Sequence, residues 1–60
     1  MRIQENTFAA ACYDQNSLQE LMEALASGPD EQDMAAWGLT EAEWRAQVQQ
    51  AIDAKRAEAE

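Results

Sequence analysis

The segment "LTEAEWRAQVQQAID", residues 39–53, contains the clearest helix start in this 60-residue sequence. Thr40 followed by Glu43 matches the capping box, in which two side chains bond backbone N–H groups at a helix N-terminus. Leu39 before the cap and Trp44 after it are spaced for a hydrophobic staple. The segment therefore predicts a helix that begins just after Thr40 and turns Trp44 inward.

The same segment continues as an amphipathic helix. Its inward stripe recurs at helical spacing and consists of Trp44, Val48, Ala51 and Ile52. The stretch that follows, "KRAEAE" at 55–60, is polar, and we expect it to fray.

A second helix is predicted upstream, because four apolar residues follow the i, i+3, i+4, i+7 pattern. They are Leu18, Leu21, Met22 and Leu25. Ser17 with Glu20 forms a possible capping box, and Asn16 is an equally good cap. Gly28 followed by Pro29 is a typical helix end.

Pro29 also suits the first turn of a short third helix. Three acids would then lie at that helix N-terminus, where the macrodipole favours negative charge: Asp30, Glu31 and Asp33. Met34 and Trp37 share the predicted inner face, and Gly38 ends the helix.

The N-terminal part allows two interpretations. "TFAAACYD", residues 7–14, is consistent with a short helix capped by Thr7 that has Phe8, Ala11 and Cys12 on one face. Residues 1–8 could instead contain a short strand, although no partner strand is evident. We predict an all-α fold, a small bundle of three to four short helices that forms one acidic domain over residues 1–60.

The aromatic residues and methionines favour a core location, with one alternative. Trp37 and Trp44 both fall on predicted inner faces, but tryptophan is also enriched among binding hot spots. A chain this small can bury one and leave the other partly exposed. Met22 and Met34 are more typical of a core than of a binding groove.

The charge distribution is the strongest functional signal. The net charge is −8, and nine acids lie between Arg2 and Arg45 without one intervening base. From Arg45 onward the charges balance. Such a field repels DNA, RNA and anionic membranes, and attracts basic proteins.

The sequence contains no signature of catalysis. It has no histidine, no phosphate-binding glycine motif and no C-x-x-C, and "DEQDMAAWGLTE" does not match a calcium loop. We therefore expect no enzyme activity, no cofactor and no bound metal. Cys12 is the only cysteine, which favours a buried small hydrophobe in a reducing compartment. With no signal peptide or membrane span evident, we expect a cytoplasmic location.

The excess carboxylates have two interpretations. The first is a solvated surface combined with favourable helix N-termini. The second is a binding surface for a basic nucleic-acid-binding protein, because acids at i, i+3 or i, i+4 lie about 5–6 Å apart and can occupy positions that phosphates would take. The candidate partner-binding residues are Glu20, Glu23, Asp30, Glu31, Asp33, Glu41 and Glu43.

In size and charge the chain resembles small phage-encoded inhibitors, the anti-CRISPR proteins of the DNA-mimic kind. "DMAAWGLTEAEWRAQVQQAID", residues 33–53, is similar to a helix pair of small phage proteins, although it carries no diagnostic motif. The resemblance implies an inhibitor that blocks the target-DNA or PAM-recognition surface of a CRISPR-Cas complex, with a Cascade-type subunit as partner. From the charge we expect no direct contact with nucleic acid or membrane, and we expect a monomer or weak homodimer.

Two other classes remain open at this level. One is an antitoxin or another regulator of a basic protein. The other is a self-associating helical module in which Trp37 and Trp44 form a homodimer interface.

Overall fold

The computed structural model describes residues 3–59. It contains four helices, α1 (Phe8–Gln15), α2 (Leu18–Ser27), α3 (Glu31–Trp37) and α4 (Glu41–Ala59), and no strand within the described residues. The predicted all-α bundle is confirmed. The strand considered for residues 1–8 is absent from residues 3–8, and its first two residues lie outside the described part.

Helix α4 is the element on which α1 and α2 pack. Both α1 and α2 contact α4 extensively. The predicted stripe on α4 is confirmed, because Trp44, Val48, Ala51 and Ile52 are all buried. Phe8 from α1 and Leu21 from α2 join this cluster, and the Phe8 and Trp44 ring centroids lie 6.5 Å apart. Within residues 3–59 no helix is both long and apolar enough to span a membrane.

The two predicted capping boxes are present. Thr40 Oγ1 accepts from the Glu43 N–H at 3.2 Å, and Glu43 Oε1 accepts from the Thr40 N–H at 3.0 Å. Ser17 and Glu20 make the matching pair at the start of α2. Asn16 does not cap α2; it ends α1, with its N–H bonded to the Cys12 carbonyl at 3.0 Å. Local sequence patterns thus determine the residues at which α2 and α4 begin.

Helix α1 is capped by Thr7 as predicted, but its buried face differs slightly. Ala9 is fully buried, whereas Ala11 is only half-buried. The Ala9 N–H donates to Gln47 Oε1 of α4 at 3.0 Å, which brings this part of the α1 backbone against α4. The buried face is therefore Phe8, Ala9 and Cys12.

Helix α3 begins at Glu31, two residues later than a helix with Pro29 at its first position. Asp30 is the N-cap, and its Oδ1 accepts from the Gln32 N–H at 2.8 Å. Pro29 precedes the cap and therefore does not belong to the first helical turn. Gly38 ends α3 as predicted, with φ 65° and ψ 38°, a left-handed conformation that glycine adopts without a Cβ penalty.

The prediction that Trp37 faces inward is wrong. Its side chain is 43% exposed, and no residue of α3 is buried. Helix α3 has only seven residues, so it presents few side chains to the core, and Met34 is the one that packs against the core cluster. Trp37 lies in the last turn, where its ring contacts Phe8 at 5.8 Å between centroids. Met22, also predicted to face the core, is likewise 43% exposed.

The end of α4 remains helical to Ala59, although "KRAEAE" is polar. Packing against α1 gives a physical reason, since the Lys55 ammonium lies 4.6 Å from the centroid of the Tyr13 ring. Such a cation–π contact stabilises by about 0.5–1 kcal/mol at an exposed site. The last predicted residue of this segment, Glu60, lies outside the described residues.

The two tryptophans provide a matched stability test. Trp44→Ala should destabilise the domain by roughly 3–5 kcal/mol, since Trp44 is 2% exposed and the cavity cannot close fully. Because domains of this size are stable by only about 0.05–0.15 kcal/mol per residue, that loss approaches the whole margin. Urea unfolding followed by circular dichroism measures it. Trp37→Ala is the control and should cost far less; equal costs would contradict the assigned burial.

Candidate partner-binding surface

The seven predicted carboxylates all lie at the surface. Six are exposed, and Asp33 is half-buried. They form two sets along the chain: Glu20 and Glu23 on α2, and a second set on α3 and the first turn of α4. We call the whole group the acidic surface; it comprises Glu20, Glu23, Asp30, Glu31, Asp33, Glu41 and Glu43.

Four of these carboxylates are held by contacts within the chain. Glu20, Asp30 and Glu43 each accept a backbone N–H at a helix start. Glu41 accepts from Arg45 Nε at 3.3 Å, an exposed pair that contributes about 0.3–0.5 kcal/mol. In residues 3–59 these bonds use one oxygen of each carboxylate, so the other oxygen remains available at a fixed position.

The capping bond also changes the acidity of one of these groups. The backbone N–H of Ser17, and secondarily the Ser17 side chain, stabilise the ionised form of Glu20 and hold the pKa of its carboxyl below the ordinary value of 4.5. Glu20 is therefore fully charged at neutral pH. Its negative charge near the α2 N-terminus is also favoured by the helix macrodipole.

The geometry of the acids is regular only on α2. Glu20 and Glu23 are three positions apart and share one face of the helix. Glu31 and Asp33 are two positions apart, so they point to different sides of α3. Glu31 is exposed, whereas Asp33 turns toward the core, where its charge acts on Cys12. Asp30 and Asp33 are also three positions apart, but Asp30 is the N-cap and precedes α3, so Glu20 and Glu23 are the pair of these acids with i, i+3 spacing inside one helix.

Cys12 itself is a core residue, as the sequence favoured. It is 6% exposed. Burial, with a smaller contribution from the charge of Asp33, raises the pKa of the Cys12 thiol to about 11. Since only the thiolate is strongly nucleophilic, Cys12 has no activated sulfur at neutral pH. Among residues 3–59 no group of three His, Cys, Asp or Glu side chains is arranged to hold a metal ion.

Trp37 is the one large aromatic side chain that lies among these acids with much of its area exposed. Asp33 is one helical turn before it on α3, and Glu41 begins α4 four residues after it. From the sequence, either tryptophan could be an interface anchor; because Trp44 is only 2% exposed, it is removed from that role. Trp37 lies directly before Gly38 in the last turn of a short helix, and this is the sequence feature that distinguishes it from the buried Trp44.

Comparison with protein-family models, with curated proteins and with solved structures finds no match in any of the three.

The capping bond of Glu20 predicts a pH dependence of stability. Because the folded-state pKa is lowered, its contribution is complete above the ordinary value of 4.5 and is lost as pH falls through the lower folded-state value. In Glu20→Gln the amide oxygen can still accept the Ser17 N–H, but nothing titrates. The stability advantage of the wild type over this variant should therefore shrink on acidification below 4.5.

Urea unfolding over a series of pH values measures this difference. Glu23→Gln is the matched control, because it removes the same charge from the same helix at a position outside the capping box. A wild-type advantage over Glu20→Gln that stays constant down to the acid transition would contradict the assigned effect of the bond.

Proposed function

We propose that this chain is a non-enzymatic inhibitor that binds the basic nucleic-acid-binding surface of another protein and thereby excludes nucleic acid from it. The observation that carries the proposal is the half-exposed Trp37 within a surface segment, residues 30–43, that has five acids and no base. An exposed aromatic side chain surrounded by charges of one sign is typical of a surface that binds a partner of the opposite charge.

The electrostatic field supports a basic partner. No lysine or arginine occurs from residue 3 to residue 44, so the charge of α1, α2 and α3 is not compensated locally. Such a field steers association with a positively charged surface and raises the association rate at low salt. Binding should weaken steeply with salt, as exposed charges more than about 10 Å apart are screened at 0.1 M.

The fixed carboxylates support tight rather than diffuse binding. Glu20, Asp30 and Glu43 are restrained by their capping bonds before any partner arrives. Each restrained side chain avoids an ordering cost of about 0.5–1.5 kcal/mol on association. The second oxygen of each carboxylate can accept from lysine or arginine, as a phosphate oxygen does.

Trp37 provides the apolar part of the contact. One edge of its ring is supported by Phe8, and the exposed part can be covered by a partner. Arginine and lysine, which line nucleic-acid-binding surfaces, pack favourably over a tryptophan face. This single contact adds specificity that charge alone lacks.

The resemblance in size and charge to DNA-mimic anti-CRISPR proteins suggests the class of target, a CRISPR-Cas or similar DNA-binding complex in the cytoplasm of an infected bacterial cell. The Glu20–Glu23 pair is the part of the acidic surface with spacing comparable to phosphates. We expect the chain to act as a monomer or weak homodimer. The alternative is an antitoxin or other regulator of a basic protein. Such a protein would use the same surface, but its binding to the partner would not compete with DNA.

Charge reversal at two exposed acids tests the proposal. Glu23 and Glu31 are chosen because neither occupies a helix cap, whereas lysine at Glu20 or Asp30 would also remove a capping bond. The Glu23→Lys, Glu31→Lys double variant should weaken partner binding by roughly tenfold or more, about 1.4 kcal/mol. Asp53→Lys, an exposed reversal in the charge-balanced part of α4, should have little effect.

The measurement is elution by DNA. Proteins captured from a bacterial lysate on the immobilised chain at low salt are displaced with duplex DNA, and the displaced amount is compared among the variants. Capture that is insensitive to the double variant would overturn the acidic surface as the contact. Capture that DNA cannot reverse would overturn nucleic-acid competition and favour the regulator.

A further inference from the structure

A groove lies between α1 and the last turns of α4, lined by residues outside the acidic surface. It is an open groove of about 510 Å³. Its apolar lining consists of Ile3, Ala10 of α1, and Ala54 and Ala57 of α4. The short alanine side chains leave a space between the two helices, and Tyr13 stands beside it, half-buried.

The rim of this groove is acidic. Glu5, Asp14 and Glu58 line it, and all three are exposed. The neighbouring Glu58 carboxylate, with further effects of burial and of the charge of Asp14, raises the pKa of Tyr13 above 10.0. The phenol is therefore neutral at physiological pH and adds a polar group beside the carboxylates.

The Tyr13 ring is already in contact with a cation. The Lys55 ammonium lies 4.6 Å from the ring centroid, which shows that this ring is oriented to accept positive charge. Lys55 offsets one of the three rim carboxylates, so the groove retains an excess of negative charge. An apolar lining with such a rim matches a side chain that is cationic at its tip and apolar along its stem.

We propose that this groove receives an arginine side chain, with an adjoining apolar residue, from a basic partner protein. The guanidinium donates to the Asp14 and Glu58 carboxylates in charge-assisted contacts beside the Tyr13 phenol, while the arginine stem and the apolar residue lie along the apolar lining. The volume falls within the roughly 300–1,000 Å³ of ordinary ligand sites, so the groove holds a short peptide segment rather than a single ion.

This inference rests on the proposed function, because the basic partner that binds the acidic surface also supplies the arginine. Glu41 and Glu58 lie 17 residues apart on one continuous helix, a separation of about 26 Å at 1.5 Å per residue. The groove is thus a second contact at the far end of α4. Two linked contacts on one partner gain affinity because the second forms within the complex.

The test uses a blocked tripeptide, acetyl-Leu-Arg-Leu-amide, titrated into the ¹⁵N-labelled chain while amide chemical shifts are recorded. Saturable shifts are expected at Ala10, Tyr13, Ala54 and Ala57. The matched peptide acetyl-Leu-Gln-Leu-amide should produce much smaller shifts. The Asp14→Asn, Glu58→Gln double variant should weaken binding by about tenfold, whereas Glu23→Gln, Glu31→Gln should leave the groove shifts unchanged.

A second variant tests the shape of the groove without a change of charge. Ala57→Leu retains high helix propensity, and its larger side chain fills the groove, so it should abolish the arginine-dependent shifts. Circular dichroism confirms that each variant is folded. Arginine-dependent shifts that persist in Ala57→Leu, or that follow the acids of α3 rather than the groove, would overturn the inference.

The outcomes separate the inference from the proposed function. If DNA elution depends on Glu23 and Glu31 but the groove binds no arginine peptide, only the groove assignment fails. If the groove binds the peptide but capture is not reversed by DNA, nucleic-acid competition fails and the groove remains as an arginine-binding site.

Discussion

The burial of one stripe of α4 is the interaction on which the rest of this structure depends. Helices α1 and α2 have 8 and 10 residues, fewer than the roughly 12–15 at which isolated helices become even marginal in water. They are helical because their apolar faces are covered by α4. Trp44 is central to this arrangement, since it is buried against Phe8 from α1 within the cluster that also contains Leu21 of α2. Loss of that contact removes the support of two helices at once.

Because the core is so small, local interactions contribute a large share of the stability, and several of the acids take part in them. The carboxylates of Glu20, Asp30 and Glu43 close helix ends, where the macrodipole also favours them. Negative charge placed at these positions therefore costs less than the same charge scattered along the helices. This explains part of the acidic composition without reference to a partner. It does not explain why compensating bases are missing over residues 3–44.

The features that the sequence predicted are those decided by local interactions. The capping boxes and the stripe on α4 follow from residues within two turns of one another, so their patterns are readable directly. The exposure of Trp37 and the burial of Ala9 were missed because the inner face of a short helix is selected by how it docks, and neither helix has a long enough apolar pattern to define that face. The groove was missed for the same reason: Ala10 and Ala54 line one groove only because α1 packs on α4. The carboxylates of the candidate surface were identified from charge alone, but their restraint by capping bonds became evident only in three dimensions.

Trp37 connects the limits of the fold to its proposed function. The helices α1 to α4 enclose Trp44 but not Trp37, whose ring lies at the edge of the core in contact with Phe8. A partner that covers Trp37 extends the same aromatic cluster outward and excludes water from it. Because a ligand that binds only the folded state stabilises that state, such a partner would raise the free energy of unfolding of the domain. Marginal stability and an exposed aromatic anchor are then two consequences of one constraint, the small area that 60 residues can enclose.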